Sequence, residues 1–222
     1  MEHTTLRNAL STGALTVALI LATCPVTASA EDSRWQIRFA VVSMDPSGNS
    51  VTVPENGESI SYNSRSGIGL GMDLEYRASK RLGIDFGVFS ASSEIEVEVG
   101  YQPFTANASG DLNITPICAA LNVHLTPDSR FDLYIGPLLA YVRYGSFKLT
   151  AGPGLFETFS SEDDFGVGGV VGLDIGLGGG QWSFNAAVRY IDTTLEATSS
   201  DGGPGTTDID PTFYSLGVGV RF

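Results

Sequence analysis

Cysteine, histidine and basic side chains are scarce in this sequence, and each shortage excludes a class of function. The 222 residues include two cysteines and two histidines, with 12 Lys and Arg against 25 Asp and Glu, a net charge of −13. Cys24 and His3 lie in the first 30 residues, which leaves Cys118 and His124 in the rest. Residues 31–222 can therefore form no internal disulfide and no metal site built from several His or Cys ligands. The acidic balance argues against a nucleic-acid partner.

Long apolar runs are missing as well. The run from Ala14 to Ala22 is far shorter than the ~20 residues that a spanning helix needs. It follows Arg7 and precedes Ala28-Ser-Ala30, a small-x-small pattern, so residues 1–30 are predicted to be a cleaved secretory signal peptide and residues 31–222 the mature domain. Lipidation at Cys24 is an alternative, although Thr23 is a poor residue to precede a lipidated cysteine.

Alternation of apolar with small or polar residues is the dominant pattern in the mature chain. In residues 214–222, Tyr, Leu, Val, Val and Phe alternate with Ser, Gly, Gly and Arg. In residues 64–78, aliphatic residues alternate with three glycines and with Asp73, Glu75 and Arg77. A soluble core would not accept three charges on one face, whereas a strand between lipid and an enclosed lumen accepts both faces.

Eight such segments are predicted, and the connections between them alternate between long and short. This indicates an all-β fold, an eight-stranded antiparallel up-and-down transmembrane β-barrel with short periplasmic turns and long outer loops. Trp35, Tyr76, Trp182 and Phe222 are then expected at the periplasmic rim as an aromatic girdle. The predicted strands are roughly 34–43, 64–78, 81–99, 110–126, 131–149, 164–177, 181–197 and 209–222.

Two local features depart from simple alternation. In the third strand the apolar parity changes from Leu82, Ile84 and Phe86 to Ile95 and Val97, which predicts a bulge or break near residues 89–93. The long connection at 151–163 is expected to be a loop, with a short helix as an option.

Several segments in order resemble the OmpW family of small outer-membrane barrels. They are Trp35-Gln-Ile-Arg-Phe-Ala, Leu74-Glu-Tyr-Arg-Ala-Ser-Lys-Arg-Leu-Gly-Ile-Asp, Tyr134-Ile-Gly-Pro-Leu-Leu-Ala-Tyr, Phe165-Gly-Val-Gly-Gly-Val-Val-Gly-Leu-Asp, Val188-Arg-Tyr-Ile-Asp, Ile209-Asp-Pro and the terminal Gly-Val-Arg-Phe. The resemblance implies an eight-stranded, porin-like barrel with an apolar lumen and passive uptake of small hydrophobic molecules. It also implies a lateral opening into the membrane at strand-interrupting prolines, for which Pro116 and Pro211 are the matching positions. Arg189 departs from this pattern, because an apolar or aromatic residue is expected there.

Charged residues on the predicted lumen face are expected to pair as a plug, since eight strands leave an interior just filled by side chains and buried charges must be paired. A catalytic or proton-relay cluster is the competing interpretation. His124, the one candidate base, is predicted beside a periplasmic turn and away from the long loops, which argues against an enzyme. The predicted plug residues are Arg38, Asp73, Glu75, Arg77, Asp85, Asp174, Arg189 and Arg221, with Asn122, His124 and Asn185 on the same face.

Leu138, Val142 and Phe213 are candidates for a small apolar binding pocket, with ordinary packing as the alternative. Acidic residues crowd the outer end, and a solvated rim is favoured there over a site for divalent cations that bridge lipopolysaccharide. They are Glu94, Glu96, Glu98, Glu162, Asp163 and Asp164.

The sequence therefore predicts a non-enzymatic outer-membrane barrel of a Gram-negative bacterium, without a cofactor, that passes or binds small hydrophobic molecules. A structural or adhesion-type barrel with a plugged lumen and interaction loops is the alternative. Expected partners are outer-membrane lipid, lipopolysaccharide and small hydrophobic solutes. The barrel-assembly machinery is expected to engage the carboxyl-terminal strand that ends at Phe222.

Overall fold

The computed structural model describes residues 33–47, 58–101, 104–151, 155–178, 180–199 and 204–222, and the predicted leader lies outside these ranges. Every regular element in the described ranges is a β-strand, and none of them contains a helix long and apolar enough to cross a membrane. The strands are β1 (Trp35–Ser47), β2 (Glu58–Ser64), β3 (Gly67–Arg77), β4 (Leu82–Tyr101), β5 (Phe104–His124), β6 (Phe131–Tyr144), β7 (Phe147–Ala151), β8 (Leu155–Ser161), β9 (Asp164–Gly176), β10 (Trp182–Asp192), β11 (Thr194–Ser199), β12 (Pro204–Asp208) and β13 (Asp210–Arg221).

These strands form eight crossings of one closed antiparallel barrel, as the sequence predicts. Five crossings consist of two strands each, namely β2 with β3, β6 with β7, β8 with β9, β10 with β11 and β12 with β13. The barrel closes where β1 pairs with β13, and Trp35 and Phe222 exchange backbone hydrogen bonds of 3.2 and 2.9 Å at the end of that seam.

The three short connections lie at one end of the barrel, at residues 78–81, 125–130 and 177–181. Gly178 in the third turn has a φ of 63°, a backbone conformation that glycine adopts without the steric cost of a side chain. Trp35 and Tyr76 contact each other at this end with ring centroids 4.8 Å apart, and Trp182 and Phe222 lie at the same end. The expected aromatic girdle is thus assembled at the short-turn rim.

Side chains alternate strictly between the lumen and the outer surface. In β6, every second residue from Asp132 to Tyr144 is buried, while its neighbours are exposed or half-buried. The outward set is strongly apolar, with Leu139, Phe165 and Leu216 exposed by 64%, 78% and 71%. An exposed apolar band around a closed barrel is the surface that a bilayer covers.

The change of parity predicted for residues 89–93 is wrong: the β4–β5 ladder is interrupted at Phe89 and Ser90, as the alternative of a break allows, but no extra residue is inserted. In β4, Phe89, Ala91 and Ser93 are buried on the same side as Asp85, and Ile95 packs against the same core. The pairing of β4 with β5 also keeps one register from Leu82 to Tyr101. The apparent change of parity arises because the lumen becomes apolar above Asp85 while the outer surface becomes acidic.

One-residue offsets do occur, but at the outer rim and on other strands. Ser64 pairs with Ile95 and Ile68 pairs with Ser92, so four steps on one strand face three on its partner. Comparable offsets separate β6 from β7 and β8 from β9. Bulges of this kind are common at barrel rims.

The outer connections contain more strand than predicted. Residues 155–161 form β8, which pairs with β7 in a hairpin, so the optional helix in 151–163 is wrong for these residues. Residues 204–208, placed in a loop from sequence, form β12. The barrel wall therefore continues beyond the apolar band.

Candidate functional site

The lumen is divided into two parts of opposite character. The half next to the short turns holds a network of buried ionisable groups, here called the charge plug. The half next to the long connections, here called the outer apolar half, is filled by packed aliphatic and aromatic side chains. The charge plug consists of Arg38, Asp73, Glu75, Arg77, Asp85, His124, Asp132, Asp174, Arg189 and Arg221.

Arg38 on β1 is the centre of the charge plug. Its guanidinium forms a short ion pair with Glu75 on β3 and donates to both carboxylate oxygens of Asp174 on β9, at 3.2 and 2.7 Å. The Arg38 guanidinium also lies 5.1 Å from the ring centroid of Tyr134. Asp174 in turn accepts a 3.0 Å hydrogen bond from Asn185. The fully buried Arg38 therefore links β1, β3 and β9.

His124 and Asp132 complete the plug at the short-turn end. The His124 ring nitrogens lie 2.6 Å from Glu75 Oε1 and 3.1 Å from Asp132 Oδ2. Arg77 and Arg221 approach the same Asp132 oxygen at 2.7 and 3.4 Å. An imidazole donates from both nitrogens only as the imidazolium. A charged His124 would balance the plug, since four arginines and one imidazolium would face five carboxylates.

Arg189 forms the top of the charge plug. Its guanidinium donates to both oxygens of Asp73 at 2.9 Å and to Ser215 at 3.1 Å. The opposite side of the group is covered by Phe89, whose ring centroid is 4.3 Å away. Arg189 stands where the OmpW resemblance leads us to expect an apolar or aromatic residue. The barrel accommodates this arginine because its charge is paired with Asp73 and is shielded from the outer apolar half by the Phe89 ring.

Glycines on the lumen face make room for the plug. A Cβ at Gly172 would overlap the Tyr134 ring, and a Cβ at Gly83 would overlap the Glu75 carboxylate. Large side chains of one strand thus lie over glycines of the next. This packing explains the alternating glycines of the sequence, because the interior of an eight-stranded barrel has no space to spare.

The outer apolar half begins directly above Phe89. Leu138, Val142 and Phe213, the predicted pocket residues, are all buried there, with Phe213 6.3 Å from Phe89 between ring centroids. Nearer the long connections, Phe147 and Phe159 stack in parallel at 5.0 Å. The remaining buried members include Val42, Met44, Ala91, Leu112, Ile114, Ala140, Tyr144, Val170, Ile191, Leu195 and Ile209.

The two prolines suggested for a lateral opening differ in their surroundings. Pro116 faces the lumen beside Val142, and pairing between β4 and β5 is interrupted next to it, at Phe89 and Ser90. Ser90 and Thr115 bridge this interruption on the outside with a 3.0 Å hydroxyl hydrogen bond. Beside Pro211 the pairing lapses between Tyr190–Thr212 and Thr194–Asp208, and one backbone hydrogen bond crosses this gap, from Ile209 N to Thr193 O at 3.1 Å.

All eight plug residues predicted from sequence are brought together, and His124, Asn122 and Asn185 face the same lumen. Sequence reasoning missed Asp132, which belongs to a strand that is apolar on both faces. The sequence does contain a clue to its position, because Asp132 lies an even number of residues from Tyr134, Leu138 and Val142 and therefore faces the same side of the strand. Among the described residues, no group of three or more His, Cys, Asp or Glu is arranged to hold a metal ion.

The acidic side chains predicted for the outer end lie along the rim of the barrel. Asp163 accepts a 2.7 Å bond from the Tyr141 hydroxyl, and Asp164 accepts from Thr193 and from the Thr194 backbone at 3.0 and 2.9 Å. Glu94 and Glu96 both pair with Arg65. The Glu98 side chain lies outside the described part. These contacts fix the rim at the points where strands are offset.

Comparison with solved structures gives the same architecture. The outer membrane protein OprG from Pseudomonas aeruginosa matches with a TM-score of 0.66 and 22% identity, covering 86% of this chain and 96% of that one. Outer membrane protein AlkL matches with a TM-score of 0.57 and 21% identity, over 86% and 90%. Neisserial surface protein A matches with a TM-score of 0.54 and 16% identity, over 86% and 98%.

These likenesses establish the fold, and the fold is the one that the OmpW resemblance implies. No curated protein sequence matches the chain. The model of the family described as "Outer membrane protein beta-barrel domain" matches residues 14–222. A match over this much of the sequence, together with the closed eight-crossing barrel, shows that the chain belongs to the outer membrane protein β-barrel domain family.

Proposed function

We propose that this barrel takes small apolar molecules into its outer apolar half and releases them sideways into the membrane. The observation that carries the proposal is the division of the lumen. Buried apolar side chains continue from Phe147 and Phe159 down to Phe89, where the charge plug begins. An apolar solute that inserts between these side chains would exchange water for apolar contacts, at a gain of about 25 cal/mol per Å² of its buried surface.

Passage straight through the barrel is opposed by the charge plug. Arg38, Glu75 and His124 are fully buried and linked to one another. To cross this layer an apolar solute would have to separate buried ion pairs, and an uncompensated buried charge costs about 3–5 kcal/mol. A solute that reaches Phe89 therefore leaves by another route.

The wall between β4 and β5 offers such a route. Pro116 has no N–H to donate to β4, and the ladder interruption beside it lies at the level of Phe89, the floor of the outer apolar half. On the outer surface, the Ser90–Thr115 bridge sits just above the exposed apolar residues Val88 and Ile117. Separation of this bridge would connect the apolar half with the boundary of the acyl chains. Pro211 is not assigned this role, because the backbone hydrogen bond from Ile209 to Thr193 crosses the gap beside it.

Uptake into liposomes tests the conduit. Protein reconstituted into vesicles should accelerate the entry of an apolar dye or alkane over empty vesicles. Entry equal to that of empty vesicles would exclude a conduit.

A disulfide across the interruption tests the route. Ser90→Cys with Thr115→Cys, in a Cys118→Ala background, places two thiols where the hydroxyls lie 3.0 Å apart. Oxidation should abolish accelerated uptake, and reduction should restore it. Ser43→Cys with Ile68→Cys is the matched control, an outward pair on the continuously paired β1–β3 wall. If the oxidised Ser90–Thr115 pair transports like the control, the β4–β5 route is wrong although the conduit can stand.

A structural or adhesion-type barrel is the second candidate, and the charge plug favours it, since a lumen sealed by buried ion pairs needs no solute to account for it. Failure of liposome uptake together with retained binding of the outer strands to envelope or host components would select this candidate. In both cases we propose a location in the outer membrane of a Gram-negative bacterium, in contact with lipid and lipopolysaccharide. Insertion by the assembly machinery through β13 is part of the same proposal.

A further inference from the structure

Among the described residues, Asp85 is a member of the charge plug whose ion pairs are all longer than a direct hydrogen bond. Its Oδ1 is 3.8 Å from Arg38 Nη1 and its Oδ2 is 3.9 Å from Arg189 Nη2. Both separations exceed the range of a direct hydrogen bond, which ends near ~3.2 Å for N–H···O. Asp85 nevertheless lies between the two arginines that organise the lower and the upper parts of the plug, and it is 3% exposed.

Further unpaired polar atoms lie on β1 and on β5, the strand that pairs with that of Asp85. Among the described residues, Arg38 Nη1, Asp85 Oδ1 and both side-chain polar atoms of Asn122 are buried without a hydrogen-bond partner. Asn122 lies on β5, next to the strand of Asp85, and it is fully buried. A buried polar group without a partner is destabilising, and sites of this kind in folded proteins commonly hold water.

The chemistry of these atoms selects the ligand. Arg38 Nη1 is a donor, Asp85 Oδ1 is an acceptor, and the Asn122 amide is both. The adjacent guanidinium opposes a metal cation, and the carboxylate opposes an anion. A water molecule both donates and accepts, and it fits a gap between polar atoms that is too long for direct contact.

We propose that Arg38, Asp85 and Asn122 form an internal water-binding site that joins the two parts of the charge plug. Bound water completes the hydrogen bonds of Asp85 to Arg38 on one side and extends toward Arg189 on the other. The plug is then a hydrated network at its centre, while the Arg189–Asp73 and Arg38–Asp174 pairs remain direct. This site is independent of whether solutes enter the outer apolar half.

Two lumen asparagines provide a matched comparison for the test. Asn185 Nδ2 donates directly to Tyr134 Oη at 3.1 Å and to Asp174 at 3.0 Å, whereas Asn122 has no protein partner among the described residues. In water-edited NMR of the barrel in lipid bilayers, magnetisation from water should reach the Asn122 side-chain amide several-fold faster than that of Asn185. Equal or slower transfer to Asn122 would overturn the water site.

Stability measurements give an independent sign. If water fills the site, Asn122→Leu expels it and leaves Asp85 and Arg38 unsatisfied, so the urea midpoint of unfolding falls. If the site is dry, the same change removes an unsatisfied amide and the midpoint rises, which would contradict the proposal. The measurement is repeated with choline in place of sodium and potassium. A midpoint that depends on the alkali cation would also overturn the proposal, because it would identify a cation as the ligand.

Discussion

Removal of the Arg189 guanidinium should destabilise the barrel by leaving Asp73 as an unpaired buried charge. Arg189 is 1% and Asp73 2% exposed, and the pair is bidentate with both separations at 2.9 Å. Loss of one member of a buried ion pair costs about 3–5 kcal/mol. For Arg189→Met we therefore expect an unfolding free energy lower by about 3–5 kcal/mol, a urea midpoint shift of about 1–3 M at a slope of roughly 1.5–3 kcal/mol/M.

The assay is reversible urea unfolding in lipid vesicles, followed by the fluorescence of Trp35 and Trp182. Replacing both partners, as Arg189→Met with Asp73→Leu, should recover most of the loss because no charge is left unpaired. Arg143→Met is the surface control. Arg143 is 64% exposed and 3.6 Å from Asp163, so its loss should cost less than about 1 kcal/mol. A cost for Arg189→Met no greater than for this control, or a double variant no better than the single one, would refute the account of the plug as paired buried charge.

Two further predictions address packing and the wall. Gly172→Ala should cost about 1–3 kcal/mol by overpacking, because a Cβ at this position meets the Tyr134 ring. Gly176→Ala on the same strand should be close to neutral, because the nearest atom to its Cβ would be 3.8 Å away. Equal urea midpoints for the two variants would contradict this packing. Ser93→Ala should cost about 1 kcal/mol, because the buried Ser93 hydroxyl donates to the backbone carbonyl of Arg65, between β2 and β3. Ser92→Ala on the exposed face should cost little, and a larger loss of stability at Ser92 than at Ser93 would contradict the assignment.

Alternation of side chains was sufficient to predict the closed barrel and its lumen face. The period of two assigns Arg38, Asp73 and Asp174 to the interior without knowledge of neighbouring strands, and the short turns give the order of crossings. Their pairing was not predictable, because Arg38 and Asp174 are 136 residues apart and their contact depends on the stagger of the closed sheet.

The errors have a common physical origin at the outer membrane boundary. In β4 the exterior changes from acyl chains to water while the interior changes from charged to apolar, so the apolar parity inverts without any change in the backbone. A sequence rule that assumes a constant environment on each face of the strand interprets this inversion as a bulge. Residues 155–161 likewise lack a strand signal in the sequence, because β8 lies above the apolar band, where no continuous lipid-facing alternation marks a strand.

The long sequence separation within the charge plug has a consequence for biogenesis. Arg221 near the carboxyl terminus approaches Asp132 and bonds to Gln36 near the start of the barrel. The Arg221–Gln36 hydrogen bond cannot form until the first and last strands have met, and the Arg221–Asp132 ion pair cannot form until the sheet has curled to bring β13 near the start of β6. An unzipped sheet would therefore carry charges along its concave side that water, and not a partner strand, would satisfy. Closure of the seam would pair these charges in one step, so that reversing insertion would require separating them again.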